Sequence, residues 1–228
     1  AATQYRGPGH TPPQALSYAR TAAAIKPKSA SANFHVALQL IAQREWAEAE
    51  RALLNTVEVL PDSPEPHTML GHVYHELGRF AEANKEYQTA IRMGPPNRAY
   101  MSQVGLAYVC GSQNDHEGAI ENARQAILMS PNRYEAYKEL GYRLVQTNRY
   151  EEARETLERA IALKPGDSNV HKNLGVALNL LGKQDEAIKH YQLGRQLDPA
   201  NRECRVLLAT TLEALGRQSE ALAECVAA

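Results

Sequence analysis

Between Tyr134 and Gly166, apolar side chains fall at Tyr137, Leu140, Gly141 and Leu144, then again at Tyr150, Ala153, Leu157, Ala160 and Ile161. Steps of three and four residues put each run on one face of a helix. Gln146-Thr147-Asn148-Arg149 separates the runs with a short polar turn, so the segment predicts two antiparallel helices whose apolar stripes meet. The pattern recurs along the chain. Pro27, Pro61, Pro95, Pro131, Pro165 and Pro199 stand 34, 34, 36, 34 and 34 residues apart, each closing a run rich in helix formers. Gly71, Gly105, Gly141 and Gly175 keep these intervals, as do Ala49, Ala83, Ala119, Ala153, Ala187 and Ala221. Small residues at fixed phase let two helix backbones approach until their larger neighbours interlock, so these columns set the interhelical spacing.

Helix pairs are expected to begin near Ala30, Pro64, Arg98, Tyr134, Ser168 and Arg202, giving repeats 30–63, 64–97, 98–133, 134–167, 168–201 and 202–228. Ser63 before Pro64, Asp167 or Ser168, and Asn201 are suited to accept orphan amide hydrogens as N-caps. A lone helix from about Pro13 to Lys26 carries Ala15, Ala19 and Ala22 in phase with the second helix of a pair, a half repeat over 13–29. Residues 13–228 then make a single domain, and residues 1–12, with Gly7-Pro8-Gly9, read as a linker or flexible N-terminus. The two extra residues of the longest interval fall between the two helices of the third pair, in a loop Gly111-Ser112-Gln113-Asn114-Asp115. Ala227-Ala228 end the sequence with no polar helix to cover the last apolar face. Two expectations follow: a fragment of a longer protein, or uncapped ends that pair with a second copy.

The unit Leu70-Gly71, Tyr74, Gly78, Phe80, Ala83, Tyr87, Ala90, Pro95 resembles the consensus of the tetratricopeptide repeat (TPR) family. Leu140-Gly141, Tyr150, Ala153, Leu157, Ala160, Pro165 repeats it, and the resemblance covers about residues 13 to 228. It implies an all-α fold, a right-handed α-α superhelix (a solenoid) of about six helix-turn-helix repeats plus the N-terminal half repeat. In that family the first helix of every unit lines a concave groove that takes a peptide or helix of a partner. Departures are local: Ala37 and Ala209 replace the glycine, and Thr56 and Gly194 stand where other units hold Ala90, Ala126 and Ala160.

Counting around the first helices from the glycine column turns His72 and His75, then Ser102, Leu106 and Val109, then Lys138 and Tyr142, then Lys172 and Asn179 toward the groove. The expected partner-binding patch is Lys138, Tyr142, Lys172, Asn173 and Asn179, which joins two cations, a rigid aromatic ring and amide donors, with Ser102, His72 and His75 on the same surface. A clamp for a C-terminal carboxylate, as some members of the family carry, is not reproduced. Tyr142 and Val176 follow Lys138 and Lys172 where asparagines belong, and Glu203 and Leu207 hold the places of the final cations. His67, His72 and His75, with His35 one unit earlier, concentrate the histidines, but no Asp or Cys completes a ligand set, so polar groove or core-edge roles are expected and no metal. Cys110, Cys204 and Cys225 form no CxxC pair and read as buried thiols, consistent with a reducing, cytoplasmic setting.

With 43% hydrophobic and 22% charged residues the chain has the means to fold, and a net charge of −1 gives no bulk field toward nucleic acid or anionic lipid. Its apolar runs are shorter than the roughly 18 residues a membrane span needs, and no apolar leader follows a charged N-terminus. No GxSxG, P-loop, GxGxxG or HExxH motif appears, so neither enzyme activity nor a cofactor is expected. The leading expectation is a noncatalytic scaffold binding a partner peptide or helix in the groove. The alternative is an accessory or substrate-recruiting segment of a larger glycosyltransferase or kinase. RNA reading by a related solenoid ranks last, since it predicts a basic groove.

Overall fold

Twelve helices and no strand make up the described residues of a computed structural model, which are 29–226 together with 16, 17, 20 and 21. The expected linker, most of the half repeat and the Cys225 side chain lie outside the described residues. In chain order the helices are α1 Ala30–Ala42, α2 Trp46–Val59, α3 Pro64–Glu76, α4 Phe80–Met93, α5 Pro96–Ser112, α6 His116–Met129, α7 Tyr134–Gln146, α8 Tyr150–Leu163, α9 Ser168–Leu180, α10 Gln184–Leu197, α11 Arg202–Ala214 and α12 Gln218–Val226.

The turn inside each pair is built the same way. After α1 the Arg44 amide donates to Ile41 O at 3.0 Å and the Glu45 amide to Leu40 O at 2.9 Å, a Schellman closure that satisfies the last carbonyls of the helix. The residue at its centre has positive φ in all six turns: Arg44, Gly78, Asn114, Asn148, Gly182 and Gly216. Glycine and asparagine suit that left-handed geometry; Arg44 does not.

Starts are set by side chains and prolines. Asp167 caps α9 by accepting from the amides of Asn169 and Val170, and Asn201 caps α11 by accepting from Cys204. Ser63 stands at the cap position of α3 but makes no cap bond; its hydroxyl donates to Glu65 Oε2 at 2.9 Å. The third first-helix begins at Pro96, two residues ahead of the expected Arg98, because proline at the opening position needs no amide partner and the Pro95 carbonyl accepts from Arg98 and Ala99. The two-residue insertion is not a loop. Gly111 and Ser112 continue α5, which reaches 17 residues, and the turn after it keeps the three-residue length of the others.

Packing divides the chain into two compact units, Ala1–Val109 and Cys110–Ala228. In the first, the Tyr87 ring is wedged against α3 and α5: a Cβ on Gly71 would lie 2.7 Å from it, and one on Gly105 only 2.3 Å. Leu40, Leu53, Leu70 and Val73 are fully withdrawn from water around the alanine column, each worth about 1.5–3 kcal/mol of burial. In the second, Leu157 fills the space against Gly141 and Tyr191 that against Gly175. Gly194 replaces the usual alanine because Cys204 Sγ and the Ser168 carbonyl occupy the room a Cβ needs, at 2.8 and 3.2 Å. Ser168 Oγ donates to Gly194 O at 2.8 Å, and burial pushes the Cys204 thiol up.

One further device joins successive pairs. His67, Tyr137, His171 and Arg205 share a register, and each bonds the carbonyl of the proline six residues earlier: Pro61 at 3.3 Å, Pro131 at 3.0 Å, Pro165 at 2.9 Å and Pro199 at 3.1 Å. A carbonyl left without a helical partner is thereby satisfied four times, by two imidazoles, a phenol and a guanidinium.

Candidate functional site

In the second unit α7 and α9 lie side by side, which brings Lys138 and Lys172 onto neighbouring first helices at equivalent positions. Neither ammonium is free. Lys138 Nζ donates to Asp167 Oδ2 at 2.9 Å, while Asp167 Oδ1 caps α9. Burial opposes ionisation of Asp167, yet Lys138 and the two amides prevail and hold its carboxyl below the usual range. Lys172 pairs with Glu203, whose carboxyl that bond likewise holds down, and Glu203 is 72% exposed, so this pair opens readily to a competing anion. Tyr142 and Asn179 are half-buried, and Asn173 is buried.

Arg143, next to Tyr142, is a buried guanidinium. Its Nε donates to Glu139 Oε1 at 2.6 Å and its carbon lies 4.8 Å from the Tyr142 ring centre. A Cβ on Gly111 would fall 2.1 Å from the same guanidinium, so the lengthened end of α5 supplies the glycine that makes room for it. The insertion is a packing feature that steadies Tyr142.

The first unit gathers rings. His72 meets Trp46 edge-on at 5.9 Å between centres, and His75 lies 5.8 Å from Phe80 and 6.4 Å from Tyr108. All five rings are partly buried. Burial lowers the pKa of His72; Glu76 opposes this and His75 adds to it, leaving the His72 imidazole neutral near pH 7. Trp46 and Phe80 open α2 and α4 at equivalent positions, a correspondence visible in the sequence but not used there, whereas Tyr108 joins them only through the packing of α5. Ser102, expected on this surface, is fully buried and shares a 2.7 Å hydrogen bond with Thr68, with Leu106 and Val109 buried nearby on α5. Two small hydroxylated residues at one register let α3 and α5 close over them. His67 is a core-edge histidine, its Nδ1 2.6 Å from Glu86 Oε2. Among the described residues no three His, Cys, Asp or Glu side chains are placed to hold a metal, and no helix is long and apolar enough to cross a membrane.

Rings, the neutral His72 imidazole and the exchangeable Lys172–Glu203 ion pair on helix faces suit contact with another polypeptide. A tetratricopeptide repeat family model matches residues 97–226, and a second of the same description matches 64–97. The chain belongs to the tetratricopeptide repeat family. With that membership comes the family's general role as a protein-interaction scaffold. Among solved structures, this TPR chain is similar to the APC/C hetero-tetramer Cut9-Hcn1, with 20% identity and a TM-score of 0.77 over 86% of its own length and 39% of the matched chain. It is also similar to TTC0263, a thermophilic TPR protein of Thermus thermophilus (19% identity, TM-score 0.64, 81% and 99% covered), and to YrrB, described as a TPR protein with an unusual peptide-binding site (18% identity, TM-score 0.54, 83% and 97% covered). Likeness at this identity is likeness of fold. No curated protein sequence matches the chain.

Proposed function

We propose that this TPR chain is a noncatalytic scaffold that binds segments of partner proteins on the faces of its first helices. The observation that carries the proposal is the set of five partly exposed rings, Trp46, His72, His75, Phe80 and Tyr108, gathered by four helices of the first unit. Such a surface offers flat apolar contact at little entropic cost together with the hydrogen-bonding nitrogens of a neutral His72 imidazole, the make-up of a hot spot for an apolar or aromatic side chain. In the second unit the supporting features are Tyr142, Asn179 and the Lys172–Glu203 pair, which an acidic residue of a ligand opens by taking the place of Glu203.

Peptides selected from a random display library on the intact chain provide the test. Binding of the selected peptides, measured by calorimetry, should weaken roughly tenfold or more in His72→Ala/Tyr108→Ala or in Lys138→Glu/Lys172→Glu. A library that yields no binder, or binders indifferent to both double variants, would refute the proposal.

A further inference from the structure

In four of the pairs a side chain at one register bonds a proline carbonyl, and where that side chain is His67, His171 or Arg205 it has a further nitrogen to place. His67 and His171 use their second nitrogen on the second helix of their own pair: His67 Nδ1 meets Glu86 Oε2 at 2.6 Å, and His171 Nδ1 meets His190 Nδ1 at 3.1 Å. The matching partner of Arg205 is Glu224, nineteen residues on as in the other two pairs. Glu224 is instead ion-paired with Arg195, on α10. Arg205 Nη2 still reaches the Pro199 carbonyl at 3.1 Å, but its Nε–H is withdrawn from solvent with no acceptor. Beside it opens a pocket of about 290 Å³ lined by Arg195, Gln196, Pro199 and Arg205. A buried N–H without an acceptor is costly, and the side chain that carries it lines a space far larger than the roughly 30 Å³ one water occupies.

We infer that this pocket, where α10 passes into α11, is a binding site for an oxyanion, a carboxylate or phosphoryl group. Two guanidiniums and one carboxylate leave a single net positive charge there, and the Arg205 Nε–H lacks the acceptor that an oxyanion oxygen supplies. Gln196 adds an amide donor at the rim. Glu224 restrains the site, since it holds Arg195 as an incoming oxyanion would.

The side-chain Nε–Hε resonances of the arginines in the intact chain, followed by NMR during titration with inorganic phosphate and, separately, acetate, test this. The Arg205 signal should move and saturate in roughly the millimolar range. Phosphate binding the tighter marks a phosphoryl site, and acetate binding equally well marks a carboxylate site. Arg205→Gln should weaken binding roughly tenfold, and Glu224→Gln, by releasing Arg195, should strengthen it several-fold. An Arg205 signal that stays still for both anions, or binding that Arg205→Gln leaves intact while circular dichroism shows the fold retained, would overturn the assignment. Weaker binding in a folded Glu224→Gln protein would also count against it.

Discussion

Gly175→Ala is expected to destabilise the protein even though alanine is the better helix former. A carbon built on the Gly175 backbone would stand 2.5 Å from Tyr191 Cε1, 2.7 Å from Cδ1 and 3.0 Å from Cζ. Comfortable carbon contacts begin near 3.5 Å, so the ring has to retreat by roughly 1 Å. Tyr191 is 0% exposed, and overpacking a filled core costs about 1–3 kcal/mol. The helix preference of alanine returns about 1 kcal/mol, which leaves a net loss of up to about 2 kcal/mol and a Tm lower by up to roughly 8 °C. Urea denaturation followed by far-ultraviolet circular dichroism measures it, with Gly166→Ala as the control: no atom lies within 4 Å of a Cβ there, and the substitution should be neutral or slightly stabilising. In a Tyr191→Val background the ring is gone, so Gly175→Ala should change sign and stabilise. The steric account fails if Gly175→Ala costs as much in the Tyr191→Val background as in the native one, or costs nothing where the ring is present.

Three other outcomes follow from the same packing. Arg44 sits at φ 60 in a turn whose counterparts are all glycine or asparagine, so Arg44→Gly should raise the unfolding free energy by about 1 kcal/mol while Gly182→Ala, at φ 78, should lower it by a similar amount, both read by urea denaturation. The Tyr191 hydroxyl is buried with no hydrogen-bond partner, so Tyr191→Phe should keep or gain up to about 1 kcal/mol, and a clear loss would show that the hydroxyl is satisfied in solution. Acid should weaken the second unit through His190, which burial and then His171 hold below its usual pKa against the pull of Glu158 and Glu186. The unfolded chain takes up that proton near pH 6.5 and the folded one resists, so stability is full above about pH 6.5 and declines below it; His190→Gln should flatten the slope measured between about pH 7.5 and 5.5.

The columns of proline, glycine and alanine revealed the helix pairs because each is a local demand, made by residues that either break a helix or let two approach. Gly111-Ser112 misled for the same reason: their composition suits a loop, and only the packing of Arg143 against Gly111 shows why they are helical. Lys138 and Lys172 were legible as a pair of cations at one register. Their partners Asp167 and Glu203, 29 and 31 residues on, were not, since such pairings depend on how one helix is rotated against the next. Ser102 shows the same dependence: counting from the glycine turned it outward, and the close approach of α3 and α5 buried it.

Trp46 is the only tryptophan in the chain, and it stands at the edge of the ring cluster against His72. Its indole is thus a built-in fluorophore for that surface: an occupant that displaces water there should shift or quench the intrinsic emission without any label. Protonation of His72 should quench it as well, so the same signal read against pH separates ligand arrival from imidazole charging.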